Sequence, residues 1–373
     1  MKAWPILGVL VVEAILFGGH WFVYRTWVDF RGAIDPADGL GMQGVAVALA
    51  FSFVAAALLS FRYSSLPVRV FYCLASVWLG FLNFFFWASC LCWVAWWGAR
   101  LTPLARHAPG LRPWLSACLF GVAALAGVYG VLNAFWIRVR RIGVNLPGLP
   151  ETWRGRRAVL MSDLHLGSIN GARFCRRIVA MAARCEPDVV FLPGDLFDGT
   201  KGDLARLTAP LKELRPRFGV FYTTGNHEEF TSPAPYLEAA AGAGLRILAN
   251  ELASVDGLQV AGVNYGDSTY PIRMKAALEA MRLERHRASI LLNHAPTRLP
   301  IVEGAGFNLQ LSGHTHGGQI FPFTWLTRRV FGRFTSGLHR FGALAVYTST
   351  GAGTWGPPMR VGTRPEIVVI EFE

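Results

Sequence analysis

The stretch Gly313-His314-Thr315-His316-Gly317-Gly318-Gln319 sets two imidazoles two residues apart just beyond a short apolar run, Leu309 to Ser312. Two such side chains can bind a metal ion, although a His-x-His pair between glycines is also a common polar turn. Four upstream stretches share the plan: a run that reads as a buried strand, followed at once by a residue type that ligates metal. Ala158 to Ser162 leads into Asp163-Leu164-His165, and Asp188 to Pro193 into Gly194-Asp195. Gly219 to Thr224 leads into Gly225-Asn226-His227-Glu228, and Ser289 to Asn293 into His294. In α/β folds ligands collect beyond the carboxyl ends of strands, so these five turns can converge on one site. Their glycines let the backbone bend where a bulky side chain would obstruct an ion.

Asp, His and Asn without thiolate suit Mn, Fe, Zn or Mg rather than copper(I) or an iron–sulfur cluster. Asp163, His165, Asp195, Asn226, His294, His314 and His316 are too many for one ion. They would give two divalent ions about four protein ligands each if one carboxylate bridges. Two ions about 3.5–4 Å apart are the usual device for in-line displacement at phosphorus, supplying the attacking oxygen from water and neutralising charge on the phosphoryl group.

Taken in order, these five blocks resemble those of the calcineurin-like metallophosphoesterase superfamily, over about residues 150 to 373. The resemblance implies that Asp163, His165 and His316 hold the first metal, that Asn226, His294 and His314 hold the second, and that Asp195 bridges them. It implies a catalytic role for His227, as the imidazole left over to stabilise phosphoryl oxygens or protonate the leaving oxygen. Glu228 would orient a ligand from behind. Gly317-Gly318-Gln319-Ile320 and the closing Pro357, Arg360 and Pro365-Glu366 further resemble the membrane-associated branch of the superfamily, which includes proteins similar to the UDP-2,3-diacylglucosamine pyrophosphatases of lipid A synthesis. The long multi-span amino-terminal region and the lack of a twin-arginine signal depart from the plainest members of that branch.

The chain has 373 residues, enough for two or three domains. Its first 137 or so residues are dominated by Ala, Val, Leu, Phe and Trp. Trp4 to Tyr24, Leu40 to Phe61, Val70 to Trp97 and Trp114 to Ile137 are each long and apolar enough to cross a hydrocarbon layer of about 30 Å, which predicts an all-α bundle of about four transmembrane helices. Lys2 before an apolar run would suit a signal peptide, but Gly18-Gly19-His20 is a poor cleavage site and further spans follow. Glu13 and His20 lie two turns apart on one face of the first span, where a mutual or an interhelix hydrogen bond is the plain reading and a transport path the sharper one. An even number of spans puts the amino terminus and the carboxy-terminal domain on one side with Lys2, Arg62, Arg69, Arg138, Arg140 and Arg141. The other side takes Arg25, Arg31, Arg100, Arg106 and Arg112, so the positive-inside rule favours a cytoplasmic carboxy-terminal domain.

Asn145-Leu146-Pro147-Gly148-Leu149-Pro150 has linker composition. The expected organisation is therefore a transmembrane domain over 1–140, a linker over 141–156 and a metallophosphoesterase domain over 157–373. Phe174, Ile178, Met181 and Cys185 recur at helical spacing, and further strands are expected at Gln259 to Val263, Leu344 to Ser349 and Ile367 to Phe372. Strands alternating with helices predict an α/β fold, a two-sheet β-sandwich flanked by helices. The six cysteines form no disulfide framework and none is needed as a ligand.

The net charge of +12 sits largely in arginine clusters, the first directly after an apolar span, so an anionic membrane surface explains it better than nucleic acid, which is not expected as a partner. Between Phe321 and Phe341, aromatic residues interleave with Arg328, Arg329, Arg333 and Arg340. This is the composition either of a bilayer-interface segment admitting a membrane lipid or lipid-linked phosphate, or of a buried loop with a solvated basic edge. Three functional readings follow: a membrane-anchored dinuclear phosphoesterase acting on a phosphodiester or pyrophosphate, a non-catalytic metal-binding platform, and a membrane sensor or transporter with an attached hydrolase.

Overall fold

A computed structural model describes residues 3–32, 35–103, 108, 110–230 and 232–373. It divides into two compact units, Met1–Leu132 with Gly356–Met359, and Asn133–Trp355 with Arg360–Glu373. Lys2 and Arg106, both used above to argue sidedness, lie outside the described residues.

The first unit contains α1 (Ala3–Arg31), α2 (Pro36–Arg62), α3 (Leu66–Arg100) and α4 (Leu111–Ala134). Each is long and apolar enough to cross a membrane. Their outer faces expose Leu10, Leu40, Leu74 and Leu125, the pattern of helices that are apolar all round. The start of α2 is set by Asp35, whose carboxylate accepts from the Ala37 amide at 2.8 Å, and by Pro36, which lacks an amide that would go unpaired there. Of the two hydrogen bonds expected at His20, the interhelix one is made and the one to Glu13 is not. His20 Nδ1 donates to the Leu16 carbonyl at 2.7 Å and Nε2 accepts from the Trp78 indole at 2.8 Å, so a donor on another helix takes the place foreseen for Glu13.

The second unit is a sandwich of two six-stranded sheets. One runs in the order β1-β12-β2-β3-β4-β5: Arg138–Val144, Glu366–Phe372, Arg157–Leu160, Val189–Pro193, Val220–Thr223 and Arg246–Ile247. The other runs β10-β11-β9-β8-β7-β6: Gly337–Phe341, Leu344–Thr348, Leu309–Ser312, Ser289–Leu292, Leu258–Gly262 and Glu251–Val255. Within each sheet the strands that lead into candidate ligands are parallel, β2 to β3 to β4 and β8 to β9, so their carboxyl ends share an edge. Strands β3, β4, β8 and β9 are buried along their whole length, which is why each reads as a continuous apolar run rather than an alternating one.

Leu160, Phe191, Phe221 and Ile370 from the first sheet pack against Val260, Ile290, Leu311 and Tyr347 from the second. The outer face of the first sheet is covered by α5 (Ala172–Ala183), which turns Cys175, Ile178, Val179 and Ala182 inward and keeps its arginines outside. The same face is covered by α6 (Ala234–Gly242) through Tyr236 and Ala240, and the outer face of the second sheet by α7 (Pro271–Ala280) through Met274 and Leu278.

Two boundaries differ from those expected. The fourth span ends at Ala134, and Ile137 is buried in the core of the sandwich unit. The linker placed over 141–156 is not a linker along its length, because Arg138–Val144 is β1, paired in parallel with all seven residues of β12. Its sequence, Arg-Val-Arg-Arg-Ile-Gly-Val, hid it: β1 is an edge strand whose arginines face outward, Arg141 meeting Glu371 at 3.0 Å, so it lacks the apolar run of the central strands.

Candidate metal centre

All five turns close at one edge of the sandwich. Asp163 and His165 follow β2, Asp195 follows β3, Asn226 and His227 follow β4, His294 follows β8, and His314 and His316 follow β9. Five of these residues hold left-handed backbone: Asp163 at φ 53°, His165 at 47°, Asp195 at 48°, His314 at 69° and His316 at 49°. Such conformations cost a non-glycine residue on the order of 1 kcal/mol or more and persist where the surroundings enforce them, commonly at functional sites. Gly313 shows how closely the turns approach: a Cβ there would run into the Ser162 hydroxyl and the Asp163 carboxylate.

The side chains form two groups that share Asp195. In the first, His165 Nε2 lies 3.0 Å from His316 Nε2 and 3.7 Å from Asp195 Oδ2, and His316 Nε2 lies 3.5 Å from Asp163 Oδ1. In the second, His294 Nε2 lies 3.2 Å from Asp195 Oδ2, and Asn226 Oδ1 sits 3.1 Å from His294 Nε2 and 2.9 Å from His314 Nδ1. The two ring nitrogens of His294 and His314 are 3.3 Å apart. His294 Nδ1 donates to the Pro193 carbonyl at 2.8 Å, which leaves Nε2 as the atom turned into the site. Ligand-type atoms of six residues thus gather around one buried carboxylate, with His165 and His294 both facing its Oδ2, a donor set that two divalent cations would match. The donor set contains no sulfur and so fits the metals expected from the sequence, without choosing among them.

Electrostatics carry the same message. Burial pushes Asp163 up to about 6, with His294 opposing and Asp195 adding to the shift. Burial also opposes ionisation of Asp195, yet the imidazoles of His294, His165 and His227 hold its carboxyl well below the usual range. Burial lowers His165 to about 3 and His314 to about 4, and it lowers His316 with help from Arg360, so these three imidazoles are neutral at pH 7. His294 is the exception: burial disfavours its charge, but the Asp195 and Asp163 carboxylates raise it to about 9.

His227 faces the ligand atoms, a ring nitrogen lying within 4.8 Å of those of His165 and Asp195. Its ring is 4.6 Å from that of His165, its amide donates to Asp195 Oδ1 at 3.0 Å, and Nδ1 donates to the Asp198 carbonyl at 2.9 Å. Nε2 is thus the open nitrogen. Glu228, foreseen as orienting a ligand, does so through backbone: its carboxylate accepts from the amides of Asp195 (3.1 Å), Phe197 (2.9 Å) and Gly225 (2.7 Å), tying two ligand turns together.

The supporting role of Arg360 was not foreseen. Its buried guanidinium donates to the His316 carbonyl at 2.8 Å and to His316 Nδ1 at 3.1 Å, fixing that ring from behind, and to the Gly353 carbonyl at 2.6 Å. Asp198 was also missed, and necessarily so, because it acts through its main-chain oxygen. Phe230 and Trp355 flank His227 with ring centres at 4.8 and 5.9 Å and are 66 % and 58 % exposed. A lone tryptophan within the glycine-rich run 351–356 is the one signal that pointed to this rim.

The calcineurin-like phosphoesterase family profile matches residues 156–318. The chain is 34 % identical over 267 residues to "Transmembrane protein with metallophosphoesterase domain" of Danio rerio, a match covering 67 % of this chain and 60 % of that one. It therefore spans about three fifths of that relative's length. It is 30 % identical over 259 residues to an uncharacterized metallophosphoesterase of Aquifex aeolicus, covering 68 % of this chain and 98 % of the other. A crystal structure of a dimetal phosphatase from Danio rerio aligns with 59 % of this chain and all of its own, at 12 % identity and a TM-score of 0.38. The similarity to the Aquifex protein runs through nearly its whole length, and on that ground the chain belongs to the calcineurin-like metallophosphoesterase family.

Proposed function

We propose that this protein is a membrane-anchored, dinuclear metal-dependent hydrolase that cleaves a phosphodiester or pyrophosphate bond of an amphiphilic substrate. The observation that carries the reading is Asp195, a fully buried carboxylate shared by two sets of ligand atoms, with the open Nε2 of His227 beside it. Asp163, His165, His316 and Asp195 would hold one ion, and Asn226, His294, His314 and Asp195 the other. Two bound divalent ions supply an activated water oxygen and neutralise charge on the phosphoryl oxygens. The chain's own residues do the rest. His227 holds a proton at Nε2 and passes it to the leaving oxygen, while the Asp198 carbonyl keeps Nδ1 protonated and the ring in place. Phe230 and Trp355 put apolar surface beside the reacting centre, which suits a substrate with an apolar portion. UDP-2,3-diacylglucosamine is one member of that class and serves as a candidate substrate. The four apolar helices support a multi-pass arrangement, and arginine placement supports a cytoplasmic sandwich unit.

The test is hydrolysis of bis(p-nitrophenyl) phosphate by the purified full chain with added Mn, alongside Asp195→Ala and His227→Ala. Turnover by the wild type that both changes abolish or sharply reduce supports the assignment. Turnover indifferent to both rejects it.

A second reading, a membrane sensor with an attached hydrolase, draws on a largely apolar cavity of about 950 Å³ in the helical unit, lined in part by His20, Trp27, Arg31, Trp78 and Phe120. Capture of a photoreactive fatty acid in that cavity would favour it, and labelling no greater than at the bundle's outer surface would remove it.

A further inference from the structure

Helix α8 (Phe323–Phe331) begins five residues after the His316–Gly318 turn. It is seated the wrong way round for a helix of a soluble domain. Thr324, Thr327 and Phe331 form the partly covered stripe, with Thr324 packed close to Gly318 and Gly362. The apolar stripe Phe323, Leu326 and Val330, at i, i+3 and i+7, is left outside, at 52 %, 52 % and 68 % exposure. A helix on a water-soluble unit normally buries that stripe. Here two threonines face inward while a phenylalanine, a leucine and a valine face out. Trp325 is exposed as well, with the Arg329 guanidinium 5.3 Å above its ring.

Charge surrounds the stripe with a single sign. From Glu303 to Glu366 the chain has no acidic residue between them, and Arg328, Arg329, Arg333, Arg340 and Arg364 all lie exposed in that interval. The helix also leads to the metal centre, because the Phe331 ring lies 6.1 Å from that of His314. In the turn before it, Gln319 holds Trp355 by two bonds, Nε2 to the Trp355 carbonyl at 2.8 Å and Oε1 from its amide at 3.0 Å. Exposed apolar surface thus runs from α8 to the aromatic rim of the site.

We infer that α8 is an interfacial helix that lays Phe323, Leu326 and Val330 into an anionic bilayer surface, with Arg328, Arg329 and Arg333 against the lipid headgroups. The occupant is a membrane surface rather than a protein because the same chain carries four helices fit to cross a bilayer, and because apolar stripe plus unopposed arginine matches the two attractions such a surface offers. Docking does not depend on catalysis. Its consequence, that lipid-borne phosphoesters reach the site from the bilayer, rests on the hydrolase reading above.

The experiment uses the full chain in nanodiscs, with Cys73, Cys90 and Cys118 changed to alanine and a nitroxide attached through Val330→Cys. A reference label is placed through Lys275→Cys on α7. Collision rates with oxygen, which partitions into lipid, and with a water-soluble nickel chelate are compared in phosphatidylcholine and in phosphatidylcholine with roughly 30 % phosphatidylglycerol. The expected result is an oxygen-to-nickel ratio at Val330 about tenfold above that at Lys275 in the anionic discs, as for a residue 5–10 Å below the headgroups. Arg328→Glu with Arg329→Glu should return the ratio most of the way to the reference. A Val330 ratio equal to the reference in both lipids, meaning water, overturns the proposal. So does a label shielded from both reagents, meaning a second protein copy, or immersion indifferent to phosphatidylglycerol and to charge reversal. Because the readout is spectroscopic, its failure is separable from a failure to hydrolyse phosphodiesters.

Discussion

Asp195 and His227 sit side by side and are expected to fail in different ways. Asp195→Asn removes the charge that both ion sites share, so metal affinity should drop by more than the roughly 10–100-fold typical of residues that only support a ligand. Metal content per purified chain, measured by plasma mass spectrometry, should fall with it. His227→Ala leaves every ligand atom in place. Its kcat should fall about 10²–10⁴-fold, the usual worth of a positioned proton donor, with metal content unchanged. Loss of metal in the His227 variant would make that imidazole a ligand and not a proton carrier. The charge state of His294 adds a pH dependence whose sign follows from its raised value. At pH 7 the ring carries a proton that an ion must displace, so binding releases a proton and affinity rises with pH. The apparent affinity should climb about tenfold per pH unit up to about pH 9 and level off above it. Calorimetric titration with Mn in buffers of different ionisation heat would count the proton, and a flat affinity between pH 7 and 9 would contradict the assignment.

Between element and element, the site depends on turns brought closer than ordinary side chains allow. Gly313→Ala would place a methyl group against the Ser162 hydroxyl and the Asp163 carboxylate, at a backbone angle alanine tolerates. The strain should cost about 1–3 kcal/mol and push the β9 turn away from the β2 turn. A lowered melting temperature together with weaker metal binding is expected, and an unchanged metal affinity would show that the approach is not needed. These turns were the legible part of the chain. Each follows a strand buried on both faces, and a short apolar run ending in Asp, Asn or His is easy to recognise whatever the strand order. What stayed hidden was structure that does not bury apolar residues. β1 is an arginine-bearing edge strand, β10 exposes Leu338 and Arg340, and α8 turns its apolar stripe outward, so none shows the periodicity of an element packed on a core. At the site, the seven ligand types were visible as side chains after strands. Of the groups that hold them only Glu228 was foreseen, because Asp198 works through a carbonyl and Arg360 lies more than 40 residues beyond the ring it fixes.

At the scale of the whole molecule, and on the proposed four-span reading, arginines at the ends of the apolar helices are the argument for the side that receives the sandwich unit. Among the described residues, Arg62, Arg69, Arg138, Arg140 and Arg141 fall on the side of the carboxy terminus, and Arg25, Arg31, Arg100 and Arg112 on the other. Three of the latter are engaged by aromatic rings at the span ends. Arg31 lies 4.4 Å from Trp27, Arg100 lies 5.0 Å from Trp97, and Arg112 lies 4.9 Å from Trp96 and 5.0 Å from Phe30. A guanidinium held on an indole is suited to the interface itself, where amphipathic rings collect, and it costs less to move across during insertion than a fully hydrated charge. On the carboxy-terminal side Arg62 lies 5.9 Å from Tyr63 and Arg138 3.6 Å from Trp136, so both sides hold arginines on rings and the bias rests on the count. Green fluorescent protein fused after Glu373 should accordingly fluoresce and alkaline phosphatase fused there should be inactive, because the first matures in the cytoplasm and the second outside it. The reverse pair of results would place the sandwich unit on the far side. Since the excess is a single arginine, Arg62→Gln with Arg69→Gln should yield both orientations in one culture, and a fusion pattern untouched by those changes would mean that the folded domain, rather than the connecting charges, sets the topology.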